Sequence, residues 1–535
     1  MSNNSGRLQS YLPLLLVLFL GAGLLIGSRF SLFKQELFKT SSNDSQKTDE
    51  ILSFILENYV DTVNTNALNT AAIEGMLGSL DPHSAYISKD SYHEFVDPIK
   101  GNFEGVGIQF RIVNDTIVVI QPVHDGPSEK AGIMAGDRIV TVNNENVAGK
   151  KITDEEVLKK LKGPKGSVVK VGIYRNGSPK ILAFSLSRDV IPTYSIDADY
   201  MINSGIGYVK LSRFAATTGH EFESALASLK SQGMTKLILD LRGNSGGYLD
   251  AATALADEFL PDKKMIVYTQ GHKRAKQVYY ATTSGLFEKG DLYILIDEYS
   301  ASASEILAGA IQDNDRGTII GRRSFGKGLV QEQIELKDGS ALRLTVARYF
   351  TPSGRCIQKP YSKGVDDYNH EFLKRYSDGE MEHPDSIHFA DSLKFKTSKG
   401  RLVYGGGGIM PDVYVALDRK DPVRQFFYHI NNTATLYQYT FEYTDKQRNA
   451  LKKFKNFTDF DAGFKVSDAM IKDFMARAAK DSIARNPKLL TLVKPDLEIL
   501  IKSFISRNLY DDAGFYPLYN QIDKTMITAV EIAKK

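Results

Sequence analysis

The segment SASASEILAGA, residues 300–310, places three serines on alternate positions directly before an apolar run. Ser302 and Glu305 have the spacing of a capping box, in which serine and glutamate bind the free amides of a first helical turn. A serine at this position can also act as a nucleophile if a base lies within reach. From this segment alone, capping is the simpler interpretation.

A lysine in a glycine-flanked loop is the base that the spacing offers to Ser302. A helix from Ser302 to Asp313 runs about 17 Å in one direction, and the strand that begins at Gly317 returns about 16 Å. The following loop, GRRSFGKG, therefore brings Lys327 back to the sheet edge at which the helix starts. A neutral lysine amine can accept a serine proton during acyl transfer if burial or neighbouring cations lower its pKa. Arg322 and Arg323 are the neighbouring cations in the sequence.

Two other serines have a spacing that is used in catalysis. Residues 243–247, GNSGG, fit a nucleophile elbow centred on Ser245, which requires an aspartate and a histidine further along the chain. Ser324 and Lys327 have the S-x-x-K spacing, but that motif requires a helix and glycines flank the lysine, so we exclude it. The Ser302–Lys327 pair and the Ser245 elbow both remain open at this point. The downstream histidines have no recognisable context: His272, His370, His383, His388 and His429.

The composition is that of a globular protein with several domains. The 535 residues are 42% hydrophobic and 24% charged, and the net charge of +3 points to neither nucleic acid nor an acidic partner. Cys356 is the single cysteine, so an intramolecular disulfide is excluded and no cysteine cluster can hold a metal. We expect no metal or other cofactor.

An apolar segment, LPLLLVLFLGAGLLIG, occupies residues 12–27 with Arg7 before it and Arg29 after it. It is shorter than the roughly 20 residues of a usual membrane span, but it lacks the A-x-A-like site that ends a signal peptide. We expect residues 1–32 to be an uncleaved membrane anchor, with a cleaved signal peptide as the alternative. Both place the rest of the chain in the cell envelope, on the periplasmic side of the membrane.

The remaining chain divides by pattern into four regions. Residues 33–93 read as helical, and residues 94–188 as a small module of short paired strands. Residues 189–420 alternate strands with helices, which predicts a largely parallel sheet, and residues 421–535 are mostly amphipathic helix. The predicted fold class is therefore α/β and multi-domain, with an inserted β-rich module. Three loops, RGNSGG, EYSASAS and GRRSFGKG, follow strands and should meet at the carboxyl edge of the sheet, where such folds place their ligands.

Several longer motifs resemble those of the C-terminal processing (tail-specific) serine peptidases, in that family's order. They are SLDPHSAYIS, GVGIQF, SEKAGIMAGDRIVTVN, LILDLRGNSGG, SASASEILAGAIQD, GRRSFGKGLVQ, TPSGRCIQ and GGGGIMPDV. The resemblance covers most of residues 59–413 and implies a serine endopeptidase core with a PDZ domain. It implies that Ser302 is the nucleophile, that Lys327 is the base and that Gln331 orients the lysine.

The resemblance also implies an oxyanion hole made of the Ala303 amide and Gly246. Ser245 then belongs to the oxyanion loop, which argues against the elbow. The other hypothesis is a PDZ-bearing envelope scaffold with a degenerate core, and the intact Ser302, Lys327 and Gln331 argue against it.

The β-rich module acquires a function from the same resemblance. A PDZ domain pairs an extended peptide with a sheet edge and binds its terminal carboxylate through backbone amides, so the expected substrates are proteins or peptides with accessible C-termini. Arg175, on a strand that approaches the core, is a candidate link through which peptide binding could act on Gln331. The expected carboxylate loop and pocket comprise Gly105, Val106, Gly107, Ile108, Phe110, Val157 and Leu161.

Two regions depart from the family pattern. One is a charged insertion at residues 359–402, and the other is the helical region 421–535. We expect either of them to carry the contacts of a homo-oligomer or the docking site of a partner protein.

Overall fold

The computed structural model of the chain describes residues 43–283, 285–481 and 486–535. It divides into a unit that ends at Met76 and a unit from Leu77 to Lys535. Within the described residues no helix has the length and apolar character to cross a membrane. The apolar segment at residues 12–27 lies outside them, so the anchor stays a prediction. The described part of the first unit contains helices α1 (Asn43–Asn58) and α2 (Thr65–Gly78). Helix α2 ends two residues after Met76, the last residue of this unit.

A six-stranded central sheet forms the core of the second unit, in the order β10-β11-β12-β15-β16-β21. All its neighbouring strands pair in parallel except β10 with β11, which confirms the α/β fold class. The strands are apolar because both faces are covered: helices α6 to α8 pack on one face and the last helix, α16 (Lys524–Lys534), packs on the other. The strands are β10 (Ile196–Asn203), β11 (Ile206–Leu211), β12 (Lys236–Asp240), β15 (Asp291–Ile296), β16 (Thr318–Gly321) and β21 (Val413–Tyr414); the helices between them are α6 (Thr218–Ser231), α7 (Leu249–Asp257) and α8 (Ala303–Asp313).

A second, antiparallel sheet stands beside the carboxyl edge of the first. It has the order β1-β18-β13-β14, with β17 paired to β18. The pairing of β17 with β18 sets Gln331 opposite Thr345. Its strands are β1 (Ala85–Ile87), β13 (Met265–Gln270), β14 (Gln277–Tyr280), β17 (Leu329–Glu335) and β18 (Ala341–Phe350), and helix α3 (Lys89–Lys100) follows β1.

The predicted β-rich module is a six-stranded sheet, β3-β4-β5-β7-β8 with β6 paired to β5, joined to the core by the β2–β9 pair. The predicted capped helix is α5, and Thr153 and Glu156 form its capping box. The elements are β2 (Asn102–Gly105), β3 (Ile108–Val113), β4 (Thr116–Pro122), α4 (Pro127–Lys130), β5 (Arg138–Val142), β6 (Glu145–Asn146), α5 (Asp154–Leu161), β7 (Val168–Tyr174), β8 (Leu182–Ser187) and β9 (Asp189–Pro192).

The insertion and the C-terminal region complete the second unit. The insertion contains helix α9 (Val365–Ser377), 3-10 turns at Pro384–Ser386 and Asp391–Leu393, and strand β19 (Lys394–Lys396), which pairs with β20 (Leu402–Tyr404). The C-terminal helices build a separate apolar cluster, except for α16, which covers the central sheet. They are α10 (Pro422–Asn431), α11 (Ala434–Lys446), α12 (Arg448–Leu451), α13 (Phe457–Gly463), α14 (Asp468–Ala478), α15 (Pro487–Tyr519) and α16 (Lys524–Lys534).

Candidate active site

A cavity of about 890 Å³ opens at the carboxyl edge of the central sheet. The loops after β12, β15 and β16 each contribute to its wall, as the sequence predicted, and strands β17 and β18 contribute from the second sheet. The structure thus brings Ser302, Lys327 and Gln331 to one cavity. Ser245, Gly246, Ala301, Phe325, Arg343 and His83 also line it.

Ser302 has a strained backbone at the start of α8. Its φ of 56° and ψ of −113° are rare for a residue with a side chain, a conformation that costs about 1–3 kcal/mol. The turn is held by Asn244, which is fully buried and whose carbonyl accepts the Ala301 amide at 3.0 Å and the Ser304 hydroxyl at 2.9 Å. The serine therefore lies at the positive end of the helix dipole, where negative charge is stabilised.

One carboxylate binds the main chain of both proposed catalytic residues. Glu305 Oε2 accepts the amide of Ser302 and the amide of Lys327, each at 2.9 Å. Its Oε1 accepts the Gly326 amide at 2.7 Å and the Ser324 hydroxyl. Burial raises the pKa of Glu305 to about 7, although these four donors favour the charged form. The predicted capping contact of Glu305 is present, and the same side chain ties the lysine loop to the helix.

A tyrosine hydroxyl makes the matching contact on the carbonyl side. Tyr349 Oη lies 2.6 Å from the carbonyl oxygen of Lys327 and 3.2 Å from that of Ser302, so its one hydroxyl proton is shared between these two acceptors, with the shorter contact to Lys327. Tyr349 is almost fully buried on β18. Glu305 and Tyr349 together fix the backbone of Ser302 relative to that of Lys327.

The environment of Lys327 favours its neutral form. Burial, followed by the positive charge of Arg343, lowers the pKa of the amine to about 8, while Glu305 and Asp81 act in the opposite direction. The prediction that Arg322 and Arg323 supply the cationic influence is wrong.

Both of those arginines are neutralised by carboxylates. Arg322 pairs with Glu298 at 2.7 Å, and Arg323 pairs with Glu380 at 2.7 Å. The effective cation, Arg343, lies on a strand of the second sheet, which the loop sequence does not reveal.

Gln331 is connected to a hydrogen-bonded chain that includes a histidine. Its Nε2 donates to Thr345 Oγ1 at 3.3 Å, and Thr345 donates to Asp81 at 3.0 Å. Asp81 also accepts the amides of His83 at 2.8 Å and of Ser84 at 3.0 Å, the pattern of an Asx turn.

His83 is a cavity residue that the sequence reasoning missed. Burial and the charge of Lys327 lower its pKa to about 4, so the imidazole is neutral at pH 7. The signal was present in the motif DPHS, since the aspartate two residues before the histidine predicts the turn that orients it.

The two residues of the predicted oxyanion hole lie beside the serine. A Cβ atom on Gly246 would lie 2.8 Å from Ser302 Cβ and 3.0 Å from the Ala303 amide nitrogen, and the φ of Gly246 is 104°. Only glycine therefore fits. In this structure the Gly246 amide donates to Asn244 Oδ1 at 2.9 Å, so its use as an oxyanion donor stays a prediction and requires that hydrogen bond to be exchanged.

A smaller cavity of about 230 Å³ lies on the other side of Ser302. Its wall combines apolar side chains with the polar side chains of Asp250, Ser302 and Gln331, and it is large enough for a medium-sized side chain next to a scissile bond. The apolar lining residues are Leu249, Ile306, Leu329 and Val330, with Tyr248 and Tyr349 beside them.

The β-rich module carries a pocket of about 220 Å³ between β3 and α5. Five of the predicted residues line it: Val106, Gly107, Ile108, Phe110 and Leu161. Val157 is instead fully buried in the core of the module, and Leu158 lines the pocket. Successive helix residues point about 100° apart, so an error of one position exchanges core for pocket. Gly105 is buried at the end of β2 and lies outside the lining.

Arg175 is bound within the β-rich module. Its guanidinium donates to both carboxylate oxygens of Asp137 at 2.7 Å and to the Gly132 carbonyl at 2.8 Å. A contact with Gln331 is not formed in this structure, and the proposed link stays a prediction.

Four family models match parts of the chain. Residues 205–367 match peptidase family S41, and residues 105–186 match a PDZ domain. Residues 29–91 match the N-terminal domain of the activating protease CtpB, and residues 426–511 match a family of unknown function, DUF8443.

Similar proteins carry the name of carboxy-terminal processing proteases. The one from Bartonella bacilliformis is 37% identical over 351 residues, which cover 64% of this chain and 80% of the relative. CtpB from Bacillus subtilis is 33% identical over 323 residues, which cover 60% and 66%. A solved photosystem II D1 C-terminal processing protease aligns with 70% of this chain and 94% of its own, at 26% identity and a TM-score of 0.36.

Proposed function

The chain belongs to the carboxy-terminal processing proteases, serine-type peptidases of family S41 with a PDZ domain, and we propose that it cleaves its substrates with a dyad of Ser302 and Lys327. The observation that carries the proposal is the shared carboxylate. Because Glu305 accepts the amides of both residues, the serine and the lysine face one cavity in a fixed relation. The lowered pKa of Lys327 supports its role as the base.

The proposed reaction is acyl transfer in two halves. The neutral Lys327 amine takes the Ser302 hydroxyl proton as Oγ bonds to the scissile carbonyl carbon. The Ala303 amide and Gly246 stabilise the negative carbonyl oxygen. The peptide C–N bond then breaks, the lysine ammonium protonates the leaving amine, and an ester on Ser302 remains. Water attacks this ester with Lys327 again as the base, which releases the acid product and restores the serine. Gln331 orients the lysine.

Substrate selection is assigned to the PDZ domain. The loop at Val106 and Gly107 binds the terminal carboxylate, and the pocket beside Phe110 takes the last side chain, which we expect to be apolar. The small cavity next to Ser302 then selects the side chain at the cleavage site. The enzyme acts in the cell envelope, held on the periplasmic side by residues 12–27; cell fractionation and N-terminal sequencing of the mature chain test this location.

Three variants of the full-length protein test the dyad. Ser302→Ala and Lys327→Ala should each abolish hydrolysis of an unfolded protein while the fold survives. Removing one member of a catalytic unit lowers kcat nearly as much as removing all of its members. Ser245→Ala should keep most of its activity. An active Ser302→Ala with an inactive Ser245→Ala would establish the nucleophile elbow instead, and an inactive wild-type protein would favour the scaffold hypothesis.

A further inference from the structure

The insertion at residues 359–402 folds against the loop that carries Lys327. Lys359, its first residue, donates its amide to the Gly326 carbonyl at 2.9 Å. A Cβ atom on Gly326 would lie 3.2 Å from Lys359 Cβ, so the two segments are in direct contact. The residue next to this contact is Lys327.

A buried ionic cluster joins helix α9 to the same loop. Arg375 donates to the carbonyl oxygens of Arg323 at 2.7 Å and of Ser324 at 3.0 Å. Glu380 accepts from Arg375 at 2.9 Å and from Arg323 at 2.8 Å and 2.7 Å. The exposed fractions of Arg375, Arg323 and Glu380 are 4%, 7% and 6%. One guanidinium of the insertion thus binds the main chain of the lysine loop directly.

An aromatic contact connects the insertion to the cavity wall as well. Tyr368 Oη lies 2.9 Å from His83 Nε2. The Lys359 ammonium lies 4.2 Å from the Phe325 ring and 4.1 Å from the Tyr368 ring. Phe325 and His83 both line the cavity of Ser302. The insertion therefore contacts two residues of the cavity wall, Phe325 and His83.

These contacts give the buried charges of the insertion a function inside the chain; the expected oligomer or partner surface stays a prediction for its exposed residues, among them Leu373 and Leu402. Arg375, Glu380 and Lys359 are buried within the chain and cannot meet another molecule. Burying such charges is costly unless their geometry and hydrogen bonds are good. Glycine restricts the backbone little, and glycines stand on both sides of Lys327. The contacts with the insertion therefore restrict a loop whose own sequence does not.

We propose that residues 359–402 are a positioning element of the active site, in which Arg375 and Glu380 hold the lysine loop so that the Lys327 amine meets Ser302. The proposal rests on the proposed dyad. Arg375 is a positioning residue, since it touches the loop and acts on the reaction only through Lys327.

The test compares Arg375→Met and Glu380→Gln with Arg401→Met in the full-length protein. Arg401 belongs to the same insertion and pairs with Asp315 and Asp412, away from the lysine loop, so its variant controls for the loss of an ion pair. For each variant we would measure the unfolding midpoint, kcat, KM and the pH at which kcat is half-maximal. Glu380→Gln keeps the shape of the side chain and guards against a failure of Arg375→Met to fold.

The two loop variants should lower kcat about 100-fold, the cost of a misplacement near 1 Å, with KM within about twofold. They should also move the half-maximal pH upward from about 8, because a displaced Lys327 is less buried. Arg401→Met should keep kcat and the half-maximal pH.

Loop variants that fold and keep the wild-type kcat and half-maximal pH would overturn the proposal. A kcat that falls by the same factor at every pH, with an unchanged half-maximal pH, would overturn it as well. The dyad would stand in either case if Ser302→Ala and Lys327→Ala are inactive.

Discussion

Removing the positive charge of Arg343 tests whether Lys327 is the base. Burial and then Arg343 lower the pKa of this lysine from 10.5 to about 8. At pH 7 the amine is then neutral in about one molecule in ten, against about one in 3,000 for an unshifted lysine. Arg343→Gln should raise this pKa, and kcat at pH 7 should fall about tenfold for each unit of the rise. The difference between 10.5 and 8 limits the loss to about 300-fold.

The assay is kcat against pH, from about pH 6 to about pH 10, with saturating peptide. Activity should rise with pH because deprotonation creates the base, and the Arg343→Gln curve should lie at higher pH with the same plateau. Arg343→Lys is the matched control, since it keeps the charge and should keep the half-maximal pH near that of the wild type. A wild-type kcat that does not change between about pH 7 and pH 9 would refute the lysine base. Coincident Arg343→Gln and wild-type curves would show that burial alone sets the pKa.

Two further predictions concern stability and substrate choice. Lys327→Met should raise the free energy of unfolding at pH 7 by at most about 3 kcal/mol, because the lowered pKa penalises the protonated folded state by about 1.4 kcal/mol per unit. The folded pKa lies below the unfolded one, so the folded wild type binds fewer protons between pH about 8 and 10.5, and it gains stability with rising pH there. Urea unfolding at several pH values should therefore show the advantage of the variant shrinking across that window; a constant difference would contradict the argument. A peptide substrate with an amidated C-terminus should have a lower kcat/KM than the same peptide with a free C-terminal carboxylate, because the carboxylate loop loses charge-assisted hydrogen bonds. Phe110→Ala should lower kcat/KM for the peptide with the free carboxylate. Equal values for the two substrates would contradict C-terminal recognition.

The sequence predicted well those features that depend on local pattern. The strand KLILDL and the helix beginning at Ala303 follow from apolar runs and a capping signal, and helices α1 and α2 follow from the two apolar patterns around DTVNTN. The parallel order of strands then places three loops at one edge. This is enough to bring Ser302 and Lys327 to the same cavity.

Features that depend on contacts between distant segments were missed. Arg343 and Tyr349 act on the site because β18 pairs with β17. The Asp338-Gly339 turn between the two strands is a hairpin signal, but it does not reveal that the hairpin lies against Ser302 and Lys327. Helix α16 has the amphipathic pattern of its neighbours in the C-terminal region, yet it covers the second face of the central sheet together with Tyr516 of α15. The insertion looked like a surface feature because its charges are numerous, and its buried cluster becomes evident only when Arg375 is seen against the lysine loop.

Capping and catalysis do not compete at residues 300–310, since Glu305 can serve both. In a capping box the glutamate accepts the amide at the helix start. Glu305 is fully buried and uses one oxygen for the Ser302 and Lys327 amides and the other for Ser324 and Gly326. Because buried carboxylates are costly unless they accept several hydrogen bonds, the lysine loop must close on Glu305 for the helix start to be stable. The hydrogen bonds of Glu305 that stabilise the first turn of α8 therefore also hold the loop of the proposed base, Lys327, next to the proposed nucleophile, Ser302.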